Sequence, residues 1–321
     1  MEMRKLTIIV LAVLMGCQST QNTNETRKEY RIAYNVWYDQ EKDDYEVFSM
    51  KPDGTDIINI SNWEGVDWVY YAYQDKIYFI SDRDTTHRMY FLYEMDAFGQ
   101  NIRKVSDQRL NDSWLSSRNK GSELIVDPRV SGDSAFHIIS SDGQLISKLY
   151  TNLAYYNDPY FSPDGTEVVF RGATQKFKKE SGYLDELYII GADGTGLRKL
   201  TTYPENDTLS AWYQYHAGPP FWEPDRNVIT YNSVQNGYSS LFLTDPTGKT
   251  PERITPDSLY AAWHTWSSDG KWITFDGYPR PHEGDRDFDI YLMEYETGHI
   301  RQLTSDSTYQ QGPVFVELIQ E

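Results

Sequence analysis

One spacing repeats six times along the chain and constrains the fold more than any other feature. In each repeat, a residue in a strand-like segment is followed twelve positions later by an aliphatic residue, with a glycine-containing turn between them. The six pairs are Phe48–Ile60, Tyr93–Val105, His137–Leu149, Tyr188–Leu200, Phe242–Ile254 and Tyr291–Leu303. Their turn glycines, at intervals of 44 to 54 residues, are Gly54, Gly99, Gly143, Gly194, Gly248 and Gly298. Such a period indicates a β-propeller, with blades arranged radially around a channel.

One repeat shows all four strands of a blade. Residues 157–201 contain four strand-like segments, separated by a Pro-Asp-Gly turn at 163–165, a polar loop and an Asp-Gly turn at 193–194. Asp-Gly favours tight hairpins, because both residues accept the positive φ of the turn. The unit at residues 30–61 has only three strands, and 312–318 has the pattern of a lone first strand. The sequence therefore predicts an all-β, six-bladed propeller of four-stranded antiparallel blades, closed by the C-terminal strand joining the N-terminal blade.

The turn motifs resemble those of a known family. Residues 159–201 read Pro-x-aromatic-Ser-Pro-Asp-Gly, then a Tyr-rich strand, Asp-Gly and Arg-x-Leu-Thr, and parts of this pattern return at 221–231 and 266–275. The pattern resembles the TolB-type six-bladed propellers from residue 30 onward, although blades two and three lack the Ser-Pro-Asp-Gly turn. The resemblance implies a location in the cell envelope and protein partners. It transfers no interface residue, because the motif consists of turn and packing residues.

The N-terminus has the organisation of an exported, lipid-anchored protein. Residues 1–16 combine Arg4 and Lys5 with an apolar stretch too short to span a membrane comfortably, as in a signal peptide. The sequence Leu-Met-Gly-Cys at 14–17 resembles a bacterial lipobox, which implies a lipidated Cys17. Residues 17–29 are polar and predict a flexible tether to a propeller domain at 30–321. We expect a monomer in the periplasm or at the outer membrane or cell surface, held to the membrane by lipid only.

The net charge and the aromatic residues limit the classes of ligand that the chain is expected to bind. The chain carries 30 basic and 48 acidic residues, a net charge of −18, which argues against nucleic acid as a partner. Its 26 Tyr and 9 Trp include several outside the repeat positions. Tyr and Trp suit sugar rings and protein partners equally. The predicted binding residues are Trp68, Tyr155, Tyr156, Trp212, Tyr213, Tyr215, Arg280, Asp67 and Asp158.

These residues are expected to share one face of the propeller. The connections between blades and the loops between second and third strands lie on that face, which we call the long-loop face. The hairpins between first and second strands and between third and fourth strands lie on the opposite, tight-turn face. Loops much longer than their neighbours usually carry function, and the longest loops of this chain open on the long-loop face.

Candidate catalytic residues are few. The sequence contains no Gly-x-Ser-x-Gly, His-Glu-x-x-His, phosphate-binding glycine loop or Cys-x-x-Cys, which favours a binding protein over an enzyme. His264, His216 and His282 are predicted on the long-loop face, where they could hold a divalent metal or act as a base. His264 takes a position that is proline in three other blades, so we expect it near the channel mouth. The alternative is three unrelated packing or surface histidines.

Two acidic residues can likewise be interpreted in two ways. Asp67 and Asp158 align at the entrance to their blades, where they could bind a cation or form an acid–base pair. The alternative is local capping of the loop that enters the blade. No cofactor follows with certainty from either interpretation.

Two function classes therefore remain open. The first is an envelope protein that binds a protein partner or a polysaccharide through the long-loop face. The second is a glycan-active enzyme, a lyase or hydrolase, because residues 264–277 (HTWSSDGKWITFDG) are similar to a stretch of oligogalacturonate lyases. That resemblance implies a histidine-bound metal. Those lyases have seven blades, however, and their full histidine set is not recognisable in this sequence.

Overall fold

The computed structural model describes residues 28–179, 182, 184–207, 209, 215–249, 251–281 and 287–319. They form 24 β-strands in six four-stranded sheets, so the predicted all-β, six-bladed propeller is confirmed. No helix among these residues is long and apolar enough to cross a bilayer. The predicted signal peptide, Cys17 and the tether up to residue 27 lie outside the described residues.

The strands of the first three blades follow the chain from the N-terminus. Strands β1–β3 belong to blade one, β4–β7 to blade two and β8–β11 to blade three. Their bounds are β1 Glu29–Asp39, β2 Asp44–Met50, β3 Ile58–Asn59, β4 Asp67–Tyr73, β5 Lys76–Ser81, β6 Phe91–Asp96, β7 Arg103–Lys104, β8 Ser116–Arg118, β9 Glu123–Val126, β10 Ala135–Ser140 and β11 Leu145–Tyr150.

The remaining strands form blades four, five and six and complete blade one. Each of these three blades takes four consecutive strands, and the last strand of the chain returns to the first blade. Their bounds are β12 Tyr155–Phe161, β13 Glu167–Ala173, β14 Glu186–Gly191, β15 Arg198–Lys199, β16 Phe221–Glu223, β17 Val228–Gln235, β18 Tyr238–Thr244, β19 Glu252–Arg253, β20 Leu259–Trp266, β21 Trp272–Pro279, β22 Asp289–Glu294, β23 His299–Gln302 and β24 Gln310–Leu318.

The ring closes through β24, as the sequence predicts. This strand is the first of blade one, in the order β24-β1-β2-β3, and it pairs antiparallel with β1. Its side chains Val314 and Val316 are buried in a cluster that includes Val69 and Ile77 of blade two. The closing strand is therefore bonded along its length to one blade and packed against the next.

Apolar side chains hold neighbouring blades together. In blade four, Phe170 packs edge-on against Phe136 of blade three, with 5.6 Å between ring centroids, and stacks on Tyr188 of its own blade at 6.0 Å. The middle strands are buried on both faces, so they read as nearly continuous apolar runs instead of alternating ones. The core is consequently a series of clusters between adjacent blades.

Some of the turn glycines pack against the preceding blade. A Cβ on Gly99, in the β6–β7 turn, would lie 2.1 Å from the carbonyl oxygen of Ile60, the aliphatic member of the preceding pair. Gly143 and Val105 repeat this contact at 2.0 Å, and both glycines have positive φ. In these two blades the tight turn packs directly on the backbone of the blade before it, where only glycine fits.

The chain enters the propeller on the tight-turn face. Lys28 donates hydrogen bonds from Nζ to Ser268 Oγ (2.9 Å) and Glu317 Oε2 (3.1 Å). Ser268 lies in the turn between the first and second strands of blade six, and the Tyr30 hydroxyl contacts its Oγ at 3.1 Å. The start of β1 is therefore fixed beside the seam between blades six and one.

A matched pair of glycine substitutions tests the contact between blades. Gly99→Ala and Gly298→Ala both place alanine at positive φ, but nothing lies within 4 Å of a Cβ on Gly298. We expect Gly298→Ala to cost about 1 kcal/mol of unfolding free energy. Gly99→Ala should cost at least about 2 kcal/mol more, because the alanine clashes with Ile60. Urea denaturation measures both values, and equal losses would contradict the contact.

Candidate functional site

Aromatic rings from three blades meet at the channel mouth. Trp114, just before β8, lies 4.5 Å from Tyr70 of β4 and 4.9 Å from Trp263 of β20, measured between ring centroids. Trp68 of β4 lies 6.1 Å from Trp263. The three tryptophans are only partly buried. We call Trp68, Tyr70, Trp114 and Trp263 the aromatic cluster, and its members become neighbours only because the ring is closed.

Bulges in the inner strands present these residues. The register of β4 against β5 shifts between Val69 and Tyr71, and that of β20 against β21 shifts between Ala261 and His264. Tyr70 and Trp263 therefore belong to the bulged segments. A bulge re-aims side chains and is common beside functional sites.

Asp276 fixes the bulge of blade six to the closing strand. Its carboxylate accepts backbone N–H bonds from Trp263 (3.0 Å) and from Gly312 of β24 (2.7 Å). Gly312 has a φ of +62°, and a Cβ there would lie 2.8 Å from Asn35 Nδ2. Asp276 is 1% exposed, and burial raises the pKa of its carboxyl to about 8. The group that positions Trp263 is thus protonated at neutral pH.

A depression opens beside the aromatic cluster on the long-loop face. It has a volume of about 260 Å³ and lies between blades five, six and one. Trp263 belongs to both features. Of the described residues that line the depression, none is Lys, Arg or His. They are Tyr215, Asn232, Val234, Tyr260, Ala262, Trp263, Asp276, Phe288, Tyr309 and Gln311.

Two amides in the depression have spare hydrogen-bonding capacity. The Gln311 side chain is 7% exposed and makes no hydrogen bond to any residue that the structure describes. Asn232 is buried, and its Nδ2 donates only a long bond of 3.5 Å to Ser239. Asn232 Oδ1 is buried without a hydrogen-bond partner among the described residues, and such a polar group commonly receives a ligand or water because leaving it unpaired costs free energy.

Tyr155 and Asp158 belong to a buried ion network. Arg171 donates to Asp158 Oδ2 (2.8 Å), Asp185 Oδ2 (3.0 Å) and the Tyr155 hydroxyl (3.1 Å). Its guanidinium lies 4.3 Å from the centroid of Tyr215, which lines the depression. Burial raises the pKa of Asp185 to about 6. Asp158 therefore ties the inner strand of blade four together and does not face the channel as a free acid.

The expected equivalence of Asp67 and Asp158 is corrected by the strand register. Trp68 and Asn157 pair with the same repeat position in the second strands of their blades. Trp68 follows Asp67, whereas Asn157 precedes Asp158. Asp67 thus lies two residues earlier in the repeat. It is fully buried in an ion pair with Arg83, and burial raises its pKa to about 6. The two carboxylates have separate structural partners.

The expected place of His264 is also corrected. The ring is 5% exposed between blades five and six, with Nε2 2.7 Å from Thr230 Oγ1. The Trp266 indole donates to the same oxygen at 2.9 Å, so His264 shares this hydroxyl with the tryptophan. Burial lowers the pKa of the ring to about 3 and keeps it neutral. The partly buried residue beside it, Trp263, occupies the channel mouth instead.

His216 has a packing partner of its own. His216 is half-buried and stacks on Tyr203, with 3.7 Å between ring centroids. His282 lies outside the described residues. Among the residues with described positions, no group of three or more His, Cys, Asp or Glu side chains could hold a metal ion.

The remaining predicted binding residues are dispersed. Tyr156 packs edge-on against Phe136 at 4.8 Å, in the interface between blades three and four. The Arg280 guanidinium lies over the Tyr238 ring, between blades six and five. Trp212 and Tyr213 lie outside the described residues. Sequence reasoning missed Trp114, Trp263, Gln311 and Asp276, although Trp114, like Trp68, stands where the chain enters a first strand.

Comparisons with known proteins identify the fold. No protein-family model matches the chain. A TolB from Acinetobacter baumannii superposes with a TM-score of 0.66 at 14% identity, over 89% of this chain and 66% of that one. A putative TolB from Agrobacterium tumefaciens gives 0.59 at 15% identity, over 92% and 100%. The chain is a TolB-like six-bladed β-propeller.

Two further matches are more distant or shorter. An oligogalacturonate lyase from Vibrio parahaemolyticus gives a TM-score of 0.51 at 12% identity, over 84% of this chain and 73% of that one. An uncharacterized protein of Agrobacterium fabrum is 37% identical over 82 residues, 26% of each chain. The matched stretches span about a quarter or less of the curated relatives' length.

Asp276 gives the TolB-like propeller a predictable pH dependence. Its carboxyl titrates near 8 when folded and 3.8 when unfolded, so the folded state holds an extra proton between these values. The stability contributed by this group is present below pH 4 and is lost as pH rises through 8. We expect Asp276→Asn to show a shallower fall in unfolding free energy over pH 4–8, measured by urea denaturation. Asp142→Asn, in an exposed turn, should follow the wild-type slope. An unchanged slope in Asp276→Asn would contradict the assignment.

Proposed function

We propose that this chain is a lipid-anchored cell-envelope protein whose propeller binds a protein partner or a glycan through the long-loop face. The observation that carries the proposal is the convergence of Trp68, Trp114 and Trp263 from three blades on the channel mouth. Tryptophan supplies a large flat apolar surface with one polar atom, and it is enriched among residues that dominate binding energy. Partly exposed rings in contact with each other form a surface that a ligand can cover.

The surroundings of the cluster favour binding over catalysis. The two acids predicted on this face are engaged in ion pairs, Asp158 with Arg171 and Asp67 with Arg83. His264 is hydrogen-bonded to Thr230 and neutral. A general acid or base must reach the proton that it transfers. These groups are committed to holding inner strands in place, which supports a binding role for the face.

A substitution in the aromatic cluster tests the proposed face. Trp114→Ala removes one ring of the cluster, and Phe98→Ala removes a half-exposed ring from the tight-turn face as a matched control. Full-length protein is tested against immobilised polysaccharides and detergent-solubilised envelope proteins. For a ligand at the cluster, we expect Trp114→Ala to weaken binding about 30-fold, corresponding to about 2 kcal/mol. Melting curves check that both variants fold. The proposal is falsified if only Phe98→Ala weakens binding.

The anchor is tested separately. Cys17→Ser removes the thiol that a lipid would occupy, whereas Ser19→Ala leaves it in place. We expect the cysteine variant to leave the membrane fraction or to accumulate as an unprocessed precursor, and to lose label from radioactive palmitate. The serine variant should label and fractionate like the wild type. Full labelling of Cys17→Ser would rule out lipidation at this residue.

A further inference from the structure

We propose that the depression between blades five, six and one binds a ring of an uncharged saccharide. The inference rests on the proposed function, because it names the class of ligand for part of the long-loop face. Within the described residues, the depression combines aromatic walls, amides with spare hydrogen-bonding capacity and an absence of basic side chains. Each property narrows the class of ligand.

The size of the depression limits its occupant. Its volume of about 260 Å³ is slightly below the roughly 300–1,000 Å³ of sites for drug-sized ligands. A site of this size accommodates one or two sugar rings of a longer chain. It does not accommodate a helix, whose diameter with side chains is about 10–12 Å. The neighbouring aromatic cluster can receive further units, since Trp263 borders both features.

The aromatic walls are held in place by one another. Tyr260 stacks on Tyr278 at 4.6 Å with an angle of 9° between the rings. Phe288 packs edge-on against both of these rings and lies 5.0 Å from Tyr309. A wall of interlocked rings loses little side-chain entropy when a ligand binds. The C–H face of a sugar ring can pack against such flat apolar surfaces, while its hydroxyls remain available at the edge.

The amides suit hydroxyl groups. An amide donates through nitrogen and accepts through oxygen, and adjacent sugar hydroxyls can do both in return. Gln311 is nine-tenths buried and its amide has no partner among the described residues, so a ligand can satisfy it. Asp276, with each oxygen already accepting one backbone N–H, can add a donor when it is protonated. The polar groups therefore match a ligand rich in hydroxyls.

Charge excludes acidic sugars. Apart from tyrosines, Asp276 is the one ionisable residue among the described lining residues. Burial raises its pKa to about 8, which leaves it neutral at pH 7. No basic group is present among those residues to pair with a carboxylate, and the chain carries a net charge of −18. A uronate would lose its hydration without gaining a counter-charge, so the lining favours uncharged units.

Calorimetry with defined saccharides tests the inference. Full-length protein is titrated with cellotetraose, maltotetraose, xylotetraose and chitotetraose, and with trigalacturonate as the acidic probe. We expect at least one neutral tetrasaccharide to bind and trigalacturonate not to bind. Gln311→Leu and Gln311→Met should each weaken binding about tenfold, because the amide bonds are lost. Gln144→Leu, the same change at an exposed site on the tight-turn face, should bind like the wild type.

The outcomes separate this inference from the proposed function. Binding of no neutral tetrasaccharide, or binding that both folded Gln311 variants retain in full, overturns the inference. If Trp114→Ala still weakens binding of a protein or an acidic glycan in that case, the proposed function stands without it. A shift of the Trp263 indole N–H resonance on adding sugar gives a second measurement should the Gln311 variants fail to fold. The absence of that shift in the presence of a bound sugar also overturns the inference.

Discussion

The pairing of β24 with β1 is the interaction on which the rest of the structure depends. It joins the two ends of the chain within one sheet, so blade six meets blade one and the ring has no open radial edge. Asp276 can then accept the Gly312 N–H across this seam, which fixes the bulge that carries Trp263. Without the seam, this contact would not hold Trp263 beside Trp68 of blade two. Closure of the fold and construction of the candidate site are therefore the same event.

Polar side chains near the channel complement the apolar packing between blades. One position of the second strand holds a buried polar residue in five of the six blades: Asn35, Asp127, Arg171, Asn232 and Asp276. Asn35 is the clearest example. Its side-chain amide accepts a hydrogen bond from the N–H of Val69 in the next blade (2.7 Å) and donates one to the carbonyl of the same residue (3.1 Å). Bulges leave backbone groups unpaired, and these side chains satisfy several of them.

The sequence was sufficient for the fold because the repeated signals are local. The turn glycine and the aliphatic residue of each pair lie within one hairpin of the blade, so the twelve-residue spacing can be read directly from the sequence. The site was predicted only in part, because the bulges shift which residues face the channel. His264 was expected at the channel mouth, yet the bulge ending at that residue turns it between blades and leaves Trp263 only partly buried. The Gln311 environment depends on three blades and has no local signature.

The fixed entry of the chain beside Ser268 has a consequence for orientation at a membrane. The bonds from Lys28 and Tyr30 to this turn place the start of the propeller on the tight-turn face. With a lipid on Cys17, as proposed, residues 17–27 can extend at most about 40 Å from the bilayer surface. The tether would then attach on the tight-turn side, so that this side can lie next to the lipid headgroups. The aromatic cluster then faces the aqueous compartment, where long polymers can approach without displacing lipid.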